Sequence, residues 1–278
     1  MGVRISSAIV LAILTFAAPV RGDTGDGVPS VFDRDAALAY SQSAVGRSLS
    51  GYAFVDSEQK VRRLSDYAGK PLVVNMVYTG CIYSCPLVVQ ALYEAVEVAE
   101  EALGSGEFHV VTVGFDTATD TPAQMRAYAR SRGIDLGNWD FLSTDAETAS
   151  RLVGDLGFLV MDSPGGFEHI AQTTIVDETG RIYQHVYGAE FEPPALVEPL
   201  KNLLLAMPAA APPLTALIER VRLFCTNYDP SSGRYRFDYA IFVALIIGGI
   251  TLLGLSIILV RSARRAFRRP PPAAKEQA

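Results

Sequence analysis

Two cysteines four positions apart are the residues of this sequence best suited to chemistry. Cys81 and Cys85 stand in the stretch Tyr-Thr-Gly-Cys-Ile-Tyr-Ser-Cys-Pro, which runs from residue 78 to residue 86. Such a pair can cycle between dithiol and disulfide, or its thiolates can bind a soft metal ion. A static disulfide is the structural alternative. A bridge across three intervening residues closes only a small loop, so it would stabilise the fold modestly.

A histidine further along the chain is the candidate for a third metal ligand. His169 follows Gly-Gly-Phe-Glu and precedes a predicted strand that should lie beside the central strand of the fold. Two thiolates and one imidazole form a soft, low-coordinate set suited to Cu(I), and Cu(II) becomes feasible if a further ligand joins. A lone histidine after a Gly-Gly turn is more often a surface or hydrogen-bonded residue, and it is the cysteine pair that makes His169 a candidate.

The elements around the cysteine pair indicate where it lies. Residues 72–78 are continuously apolar and β-branched, which predicts a buried strand, and residues 86–103 carry the periodicity of an amphipathic helix. Residues 108–115 predict a second buried strand. The cysteines therefore stand at the carboxyl edge of a parallel sheet, where α/β proteins place their sites. Backbone N–H groups and the helix dipole favour a thiolate there, so at least one cysteine should have a lowered pKa.

The remaining pattern completes an α/β domain. Residues 52–56 and 61–64 predict a hairpin, as do residues 173–176 and 182–187, and helices are predicted for residues 121–132, 146–156 and 194–206. The strand, helix, strand order near the cysteines predicts a parallel, right-handed unit. The sequence therefore predicts a thioredoxin-like domain with an N-terminal β-hairpin extension.

Two uncharged apolar runs, residues 5–18 and 239–260, predict the topology. The first is short and ends in small residues, which indicates a secretory signal peptide over residues 1–22; an uncleaved anchor is the alternative. The second holds 22 residues, enough to cross ~30 Å of hydrocarbon as a helix. Five arginines follow it within residues 261–269. Because positively charged flanks of a membrane span stay in the cytoplasm, this end of the chain is predicted to be cytoplasmic.

This topology predicts six segments. They are a signal peptide (1–22), a flexible leader (23–46) with a short helix near residues 34–40, the main domain (47–206), a juxtamembrane segment (207–238), one transmembrane helix (239–260) and a basic cytoplasmic tail (261–278). The predicted location is the inner membrane of a bacterium, with the main domain on the periplasmic side.

Composition and charge exclude several classes of protein. Hydrophobic residues make up 49% of the chain, but the excess lies in the two apolar runs, so a multi-span transporter and a disordered chain are both excluded. Residues 23–238 hold 16 basic and 29 acidic residues, a net charge of −13. Nucleic-acid binding is therefore excluded as well.

Several other polar residues carry weaker signals. Asp116 and Asp120 are candidates for supporting the metal ligands or for docking a partner, although capping of the next helix by Asp120 and Thr121 explains them adequately. Cys225 could be an unpaired thiol, form an intermolecular bridge or serve as an auxiliary metal ligand. His109 and His185 are predicted to be structural, and Trp139 is predicted to lie in the core.

Three motifs together resemble the Sco/SenC family. They are Tyr-Thr-x-Cys-x-x-x-Cys-Pro from residue 78, Gly-Phe-Asp-Thr-Ala-Thr-Asp-Thr-Pro from residue 114, and His169 eleven residues before Gly180. The resemblance covers residues 46–207. It implies a thioredoxin-like, copper-binding domain tethered to a membrane, which helps deliver copper to the dinuclear site of cytochrome c oxidase.

The resemblance also implies the ligands and the partners. Cys81, Cys85 and His169 would bind the copper, as a metallochaperone site. The partners would be the copper-bearing subunit of the oxidase, a copper donor and a thiol reductase. The chain departs from the family at Ile82 and Tyr83, where a proline and an acidic residue are usual, and in placing its anchor at the C-terminus.

Two enzymatic alternatives compete with a copper carrier. The first is a membrane-tethered thiol:disulfide oxidoreductase that uses Cys81 and Cys85 as a redox pair and acts on cysteines of the oxidase subunit. Thioredoxin-type enzymes, however, use Cys-x-x-Cys and a cis-proline before the penultimate strand, and here Gln172 and Thr173 occupy the approach to that strand. The second is a peroxiredoxin-like peroxidase, in which a threonine stands three residues before the reactive cysteine. Tyr78 holds that position here.

Overall fold

Residues 32–207 and 213–267 are described by the computed structural model of this chain. The chain divides into two units, residues 1–32 and 33–278, and the fold below belongs to the second. The predicted signal peptide lies outside the described residues, as does the end of the predicted basic tail.

The described residues form seven α-helices and eleven strands. The helices are α1 (Arg34–Gln42), α2 (Ser84–Leu103), α3 (Pro122–Ser131), α4 (Ala146–Asp155), α5 (Pro194–Ala206), α6 (Pro213–Phe224) and α7 (Ala240–Phe267). The strands are β1 (Ala53–Asp56), β2 (Val61–Arg63), β3 (Leu72–Val77), β4 (His109–Gly114), β5 (Trp139–Ser143), β6 (Val160–Ser163), β7 (Gly166–His169), β8 (Gln172–Val176), β9 (Ile182–Tyr187), β10 (Thr226–Asp229) and β11 (Arg234–Phe237).

Seven of these strands build one mixed sheet in the order β2-β1-β5-β4-β3-β8-β9. The pairs β3-β4 and β4-β5 are parallel, and the flanking pairs are antiparallel. Strand β3 is buried along its whole length, as its apolar sequence predicts. This is the predicted thioredoxin-like fold, with the hairpin β1-β2 as its N-terminal extension.

The sheet separates two apolar layers. Helices α2, α3 and α5 cover one face, where Leu92, Phe108 and Leu200 are fully buried. Helix α4 covers the other face through Leu152, together with Leu156 directly after the helix. Successive side chains of a strand point to opposite faces, so β3 contributes to both layers.

The structure contains strands that the sequence patterns do not predict. They are β5 of the main sheet, the small hairpin β6-β7 and the juxtamembrane hairpin β10-β11. Each is only four or five residues long, too short for a clear periodic pattern.

Helix α1 confirms the helix predicted near residues 34–40. Asp33 caps it by accepting hydrogen bonds from two backbone N–H groups. Ala37 and Ser41 are fully buried, and Gly157 approaches Ser41 so closely that no Cβ would fit between them. The second half of the predicted flexible leader is therefore packed on the domain.

Helix α7 contains the predicted membrane span. Its segment from Ala240 to Arg264 is long and apolar enough to cross a bilayer, and none of it is buried in the protein. Its apolar side chains are exposed instead, as the lipid-facing side chains of a transmembrane helix would be.

Candidate metal centre

The loop between β3 and α2 carries both cysteines of the pair. Cys81 lies three residues before α2, and its N–H donates to the carbonyl of Tyr78 at 3.1 Å. Cys85 lies in the first turn of α2, and its N–H donates to the sulfur of Cys81 at 3.4 Å. The helix therefore begins two residues earlier than the sequence predicts, and its first turn directs a backbone donor at the first cysteine.

The two thiols differ in acidity. Burial acts to raise the pKa of Cys81, but hydrogen bonds from the Ser84 hydroxyl and from the N–H groups of Cys85 and Tyr83 lower it to about 6. Burial raises the pKa of Cys85, and the neighbouring Cys81 raises it further. The prediction that at least one cysteine has a lowered pKa is confirmed, and that cysteine is Cys81. Both side chains are free thiols.

A buried carboxylate supports the loop between β3 and α2. Asp120 is 1% exposed and accepts hydrogen bonds from the N–H and the hydroxyl of Thr79, at 2.8 and 2.7 Å. It also accepts from the N–H of Asp116 at 3.0 Å. Burial raises its pKa despite these donors. Asp120 therefore supports the cysteine loop, which is one of the roles considered for it, and does not cap the next helix. Thr121 alone caps α3, by accepting from the N–H of Gln124.

His169 is the last residue of β7 and is partly buried. Its Nδ1 lies 2.9 Å from the carbonyl oxygen of Ile170. A carbonyl can only accept, so Nδ1 carries the proton and Nε2 keeps its lone pair. Burial lowers the pKa of His169, which favours the neutral imidazole. A neutral histidine with one nitrogen fixed by a backbone carbonyl is the usual form of a metal ligand.

An aromatic cluster connects the cysteine loop to His169. The ring of Tyr78 contacts Phe115, Phe167 and His169 edge-on, and Phe158 packs 4.9 Å from the His169 ring, centroid to centroid. Gly166 allows this approach, because a Cβ there would lie 2.9 Å from the Tyr78 hydroxyl. Burial and the neighbouring Cys81 raise the pKa of Tyr78. The Tyr78 side chain therefore separates the cysteine loop from the hairpin β6-β7.

The cysteine pair and His169 occupy the same edge of the sheet. β8 runs antiparallel to β3, with Asn75 opposite Thr173, so the end of β3 and the start of β8 meet there. The prediction that His169 lies at the same edge of the sheet as the two cysteines is therefore confirmed. Within the described ranges, however, no three His, Cys, Asp or Glu side chains are arranged closely enough to hold a metal ion.

A surface cavity of about 600 Å³ opens beside Cys81. One side is lined by Thr79, Ile82 and Pro86. The other side is lined by Tyr128 of α3 and by Arg132, which directly follows that helix. Ile82 and Tyr83 are 76% and 79% exposed, so the loop presents two apolar side chains to solvent next to the reactive thiol. A second molecule can therefore reach Cys81 from this side.

The other candidate residues lie away from this edge. His109 begins β4 at the opposite edge, and His185 is buried on β9, where Thr174 and Gln172 contact its Nδ1. Trp139 lies in the core, as predicted. Cys225 is buried as a free thiol at the start of the hairpin β10-β11.

Two contributors to the site were not predicted from the sequence. Ser84 lies at hydrogen-bond distance from Cys81, and its position three residues after that cysteine was the available signal. The aromatic residues around His169 come from four separate elements or loops, so no local pattern connects them.

Comparison with known proteins gives one family and a fold. A protein-family model described as SCO1/SenC matches residues 41–205. Comparison with curated proteins gives no match.

Three solved structures illustrate the structural likeness. A protein from Aquifex aeolicus VF5 is 25% identical with a TM-score of 0.52, over 56% of this chain and 92% of the other. BsSco, a member of the Sco family of cytochrome c oxidase assembly proteins in which a disulfide switch was identified, is 16% identical with a TM-score of 0.52, over 58% of this chain and 96% of the other. ScoI of Bradyrhizobium japonicum with copper bound is 20% identical with a TM-score of 0.48, over 57% of this chain and 99% of the other.

Proposed function

The chain belongs to the SCO1/SenC family, and from this we propose that it is a membrane-anchored copper carrier. Sco proteins are copper-binding proteins of cytochrome c oxidase assembly, and homologues have been solved with copper bound. For this chain we assign the delivery of copper to the dinuclear copper site of the oxidase. The recipient is the copper-bearing subunit of that enzyme.

One observation carries this proposal: a thiolate and an unprotonated imidazole nitrogen face the same edge of the sheet. The lowered pKa of Cys81 supplies the thiolate at neutral pH, and Nε2 of His169 is the available nitrogen. Cys85 contributes a second sulfur once the metal displaces its proton. Thiolate and imidazole donors suit Cu(I). The residues present therefore fit the cargo.

The chemistry of the ligands supports a carrier. Thiolates bind Cu(I) well and can be exchanged one at a time for the thiolates of a partner. Copper then passes by stepwise exchange between thiolates, without a change in its oxidation state.

The proposed location follows from α7 and the charges behind it. The helix anchors the chain in a bacterial inner membrane, and the arginines from Arg261 onward keep that end in the cytoplasm. The copper domain then faces the periplasm. In that oxidising compartment a disulfide between Cys81 and Cys85 would abolish binding, so a thiol reductase must act before the copper donor.

Copper titration of the reduced full chain in detergent tests the site. We expect one Cu(I) per chain in competition with a chelator, and at least roughly tenfold weaker binding for His169→Ala. His109→Ala is the matched control, because it removes an imidazole at the opposite edge of the sheet. Equal affinity and stoichiometry in the two variants would exclude His169 as a ligand.

A thiol:disulfide oxidoreductase is the second candidate function. The acidity of the two thiols favours it, since a low-pKa Cys81 could attack a disulfide and the buried Cys85 could resolve the mixed disulfide. A reductase assay on a disulfide substrate without copper separates the two functions. Multiple turnovers that depend on both cysteines would favour the enzyme, whereas a carrier shows little turnover.

A further inference from the structure

Helix α6 presents an apolar stripe that nothing in the described part of the chain covers. Leu214, Leu217, Ile218, Val221 and Phe224 are 71, 58, 61, 37 and 66% exposed. At about 100° per residue these five side chains span about 120° of the helix circumference. That width is typical of a helix face that packs on something apolar.

The opposite side of α6 packs on the protein. Leu223 lies about 160° from the centre of the stripe and packs against the core layer beneath α2 and α5. The guanidinium of Arg220 donates to the carbonyl of Met207 at 2.9 Å, next to the end of α5. The stripe therefore points away from the domain.

Two arginines flank the stripe. Arg220 and Arg222 each lie about 40° beyond one of its edges, and both are exposed. An apolar face bordered by cationic side chains is the pattern of a helix that lies in a membrane interface. Arg222 can reach the lipid phosphates there, whereas the guanidinium of Arg220 is bonded to the carbonyl of Met207.

The hairpin β10-β11 brings the end of α6 to the start of α7. Thr226 pairs with Phe237, and the N–H of Asp238 donates to the carbonyl of Cys225 at 2.7 Å. Cys225 directly follows α6, and Asp238 lies two residues before α7. The C-terminal end of α6 is therefore at the level where the predicted span enters the bilayer.

Aromatic side chains mark that level. Phe237 packs against Tyr239 and Phe242, with ring centroids 4.8 and 5.7 Å away. Tyr239 is of a residue type that is enriched where a transmembrane helix crosses the interface.

From these contacts we propose that α6 lies in the membrane interface, with its apolar stripe in the lipid of the leaflet that α7 enters. The inference rests on the proposed anchoring by α7. It gives the copper domain a second attachment to the bilayer. The hairpin and Leu223 join α6 to the core, so the two attachments together hold the domain in one orientation above the membrane.

Tryptophan quenching by brominated lipids tests this in the full chain, reconstituted in phosphatidylcholine and phosphatidylglycerol vesicles. Ile218→Trp and Leu217→Trp place the probe on the stripe, and Thr215→Trp places it on the polar side of the same helix. Val61→Trp on β2 is the matched control, because Val61 is also 61% exposed. The wild-type chain gives the background emission of the buried Trp139. Leu252→Trp reports whether α7 lies in the lipid.

We expect shallow-brominated lipid to reduce the emission at positions 217 and 218 roughly twofold, and to affect positions 215 and 61 much less. Quenching at position 252 without quenching at 217 and 218 would overturn the interfacial placement and leave the anchor intact. A blue-shifted but unquenched probe at 218 would also overturn it, since a protein would then cover the stripe. Absence of quenching at 252 would refute the anchor itself, and the placement of α6 with it.

Discussion

The carboxylate of Asp120 holds Thr79 through two hydrogen bonds, one to its N–H at 2.8 Å and one to its hydroxyl at 2.7 Å. Thr79 lies two residues before Cys81, and Asp120 lies just before α3. A single buried side chain thus connects the loop that follows β4 to the loop that carries the reactive thiol. The position of Cys81 therefore depends on this connection as well as on α2.

Replacing Asp120 by asparagine should loosen the cysteine loop. One carboxylate oxygen becomes an NH₂ group, which must then face an N–H or hydroxyl donor of Thr79 or Asp116. Leaving a buried donor without its acceptor costs about 1–3 kcal/mol. We expect urea unfolding of the detergent-solubilised chain to show a loss of that size for Asp120→Asn. Asp116→Asn is the control, and an equal loss there would argue against a special role for Asp120.

Gly114 should tolerate no side chain. A Cβ at this position would overlap the Cβ of Asp120, so Gly114→Ala forces the buried aspartate and its loop to shift. The expected destabilisation is about 1–3 kcal/mol. Gly137→Ala provides the comparison, because nothing lies within 4 Å of its Cβ position. Thermal unfolding of both variants measures the difference, and similar melting temperatures would contradict the close contact.

Alkylation should distinguish the two thiols of the pair. Cys81 has a pKa of about 6, whereas burial raises that of Cys85, so iodoacetamide at pH 7 should modify Cys81 first. Ser84→Ala removes a hydrogen bond to the thiolate and should move the Cys81 profile to higher pH. Ser57→Ala, on an exposed turn, is the control. Mass spectrometry of the digested protein reads out both sites, and faster modification of Cys85 would refute this assignment.

Mild acid should destabilise the domain through His185. Burial lowers its pKa from 6.5 to about 4 in the folded state. Between these values the unfolded chain binds more protons than the folded one, so stability falls as the pH falls through that window. His185→Gln should lose less stability than the wild type between pH 7 and pH 5, as measured by urea midpoints. A parallel decline in both proteins would assign the effect to other groups.

Much of the fold followed from local patterns. The continuous apolar run of β3, the periodicity of α2 and the cap at Thr121 each carry their own structural signal, and all three elements are present. Strand β5 and the hairpin β6-β7 carried no such signal, because short strands obtain their stability from neighbours distant in the chain. The sequence left the role of Asp120 open between support of the site and capping of α3 for the same reason, since its partner Thr79 is 41 residues away.

Sequence alone determined the candidate ligands, the family resemblance and the predicted topology, because residue type, motif spacing and long apolar runs are local properties. Tertiary structure decided which cysteine is acidic, since that depends on donors directed at one sulfur and on burial of the other. It also placed Tyr78 between the cysteine loop and His169, and it turned the stripe of α6 away from the core. Contacts between segments far apart in the chain set these features, and no local pattern encodes them.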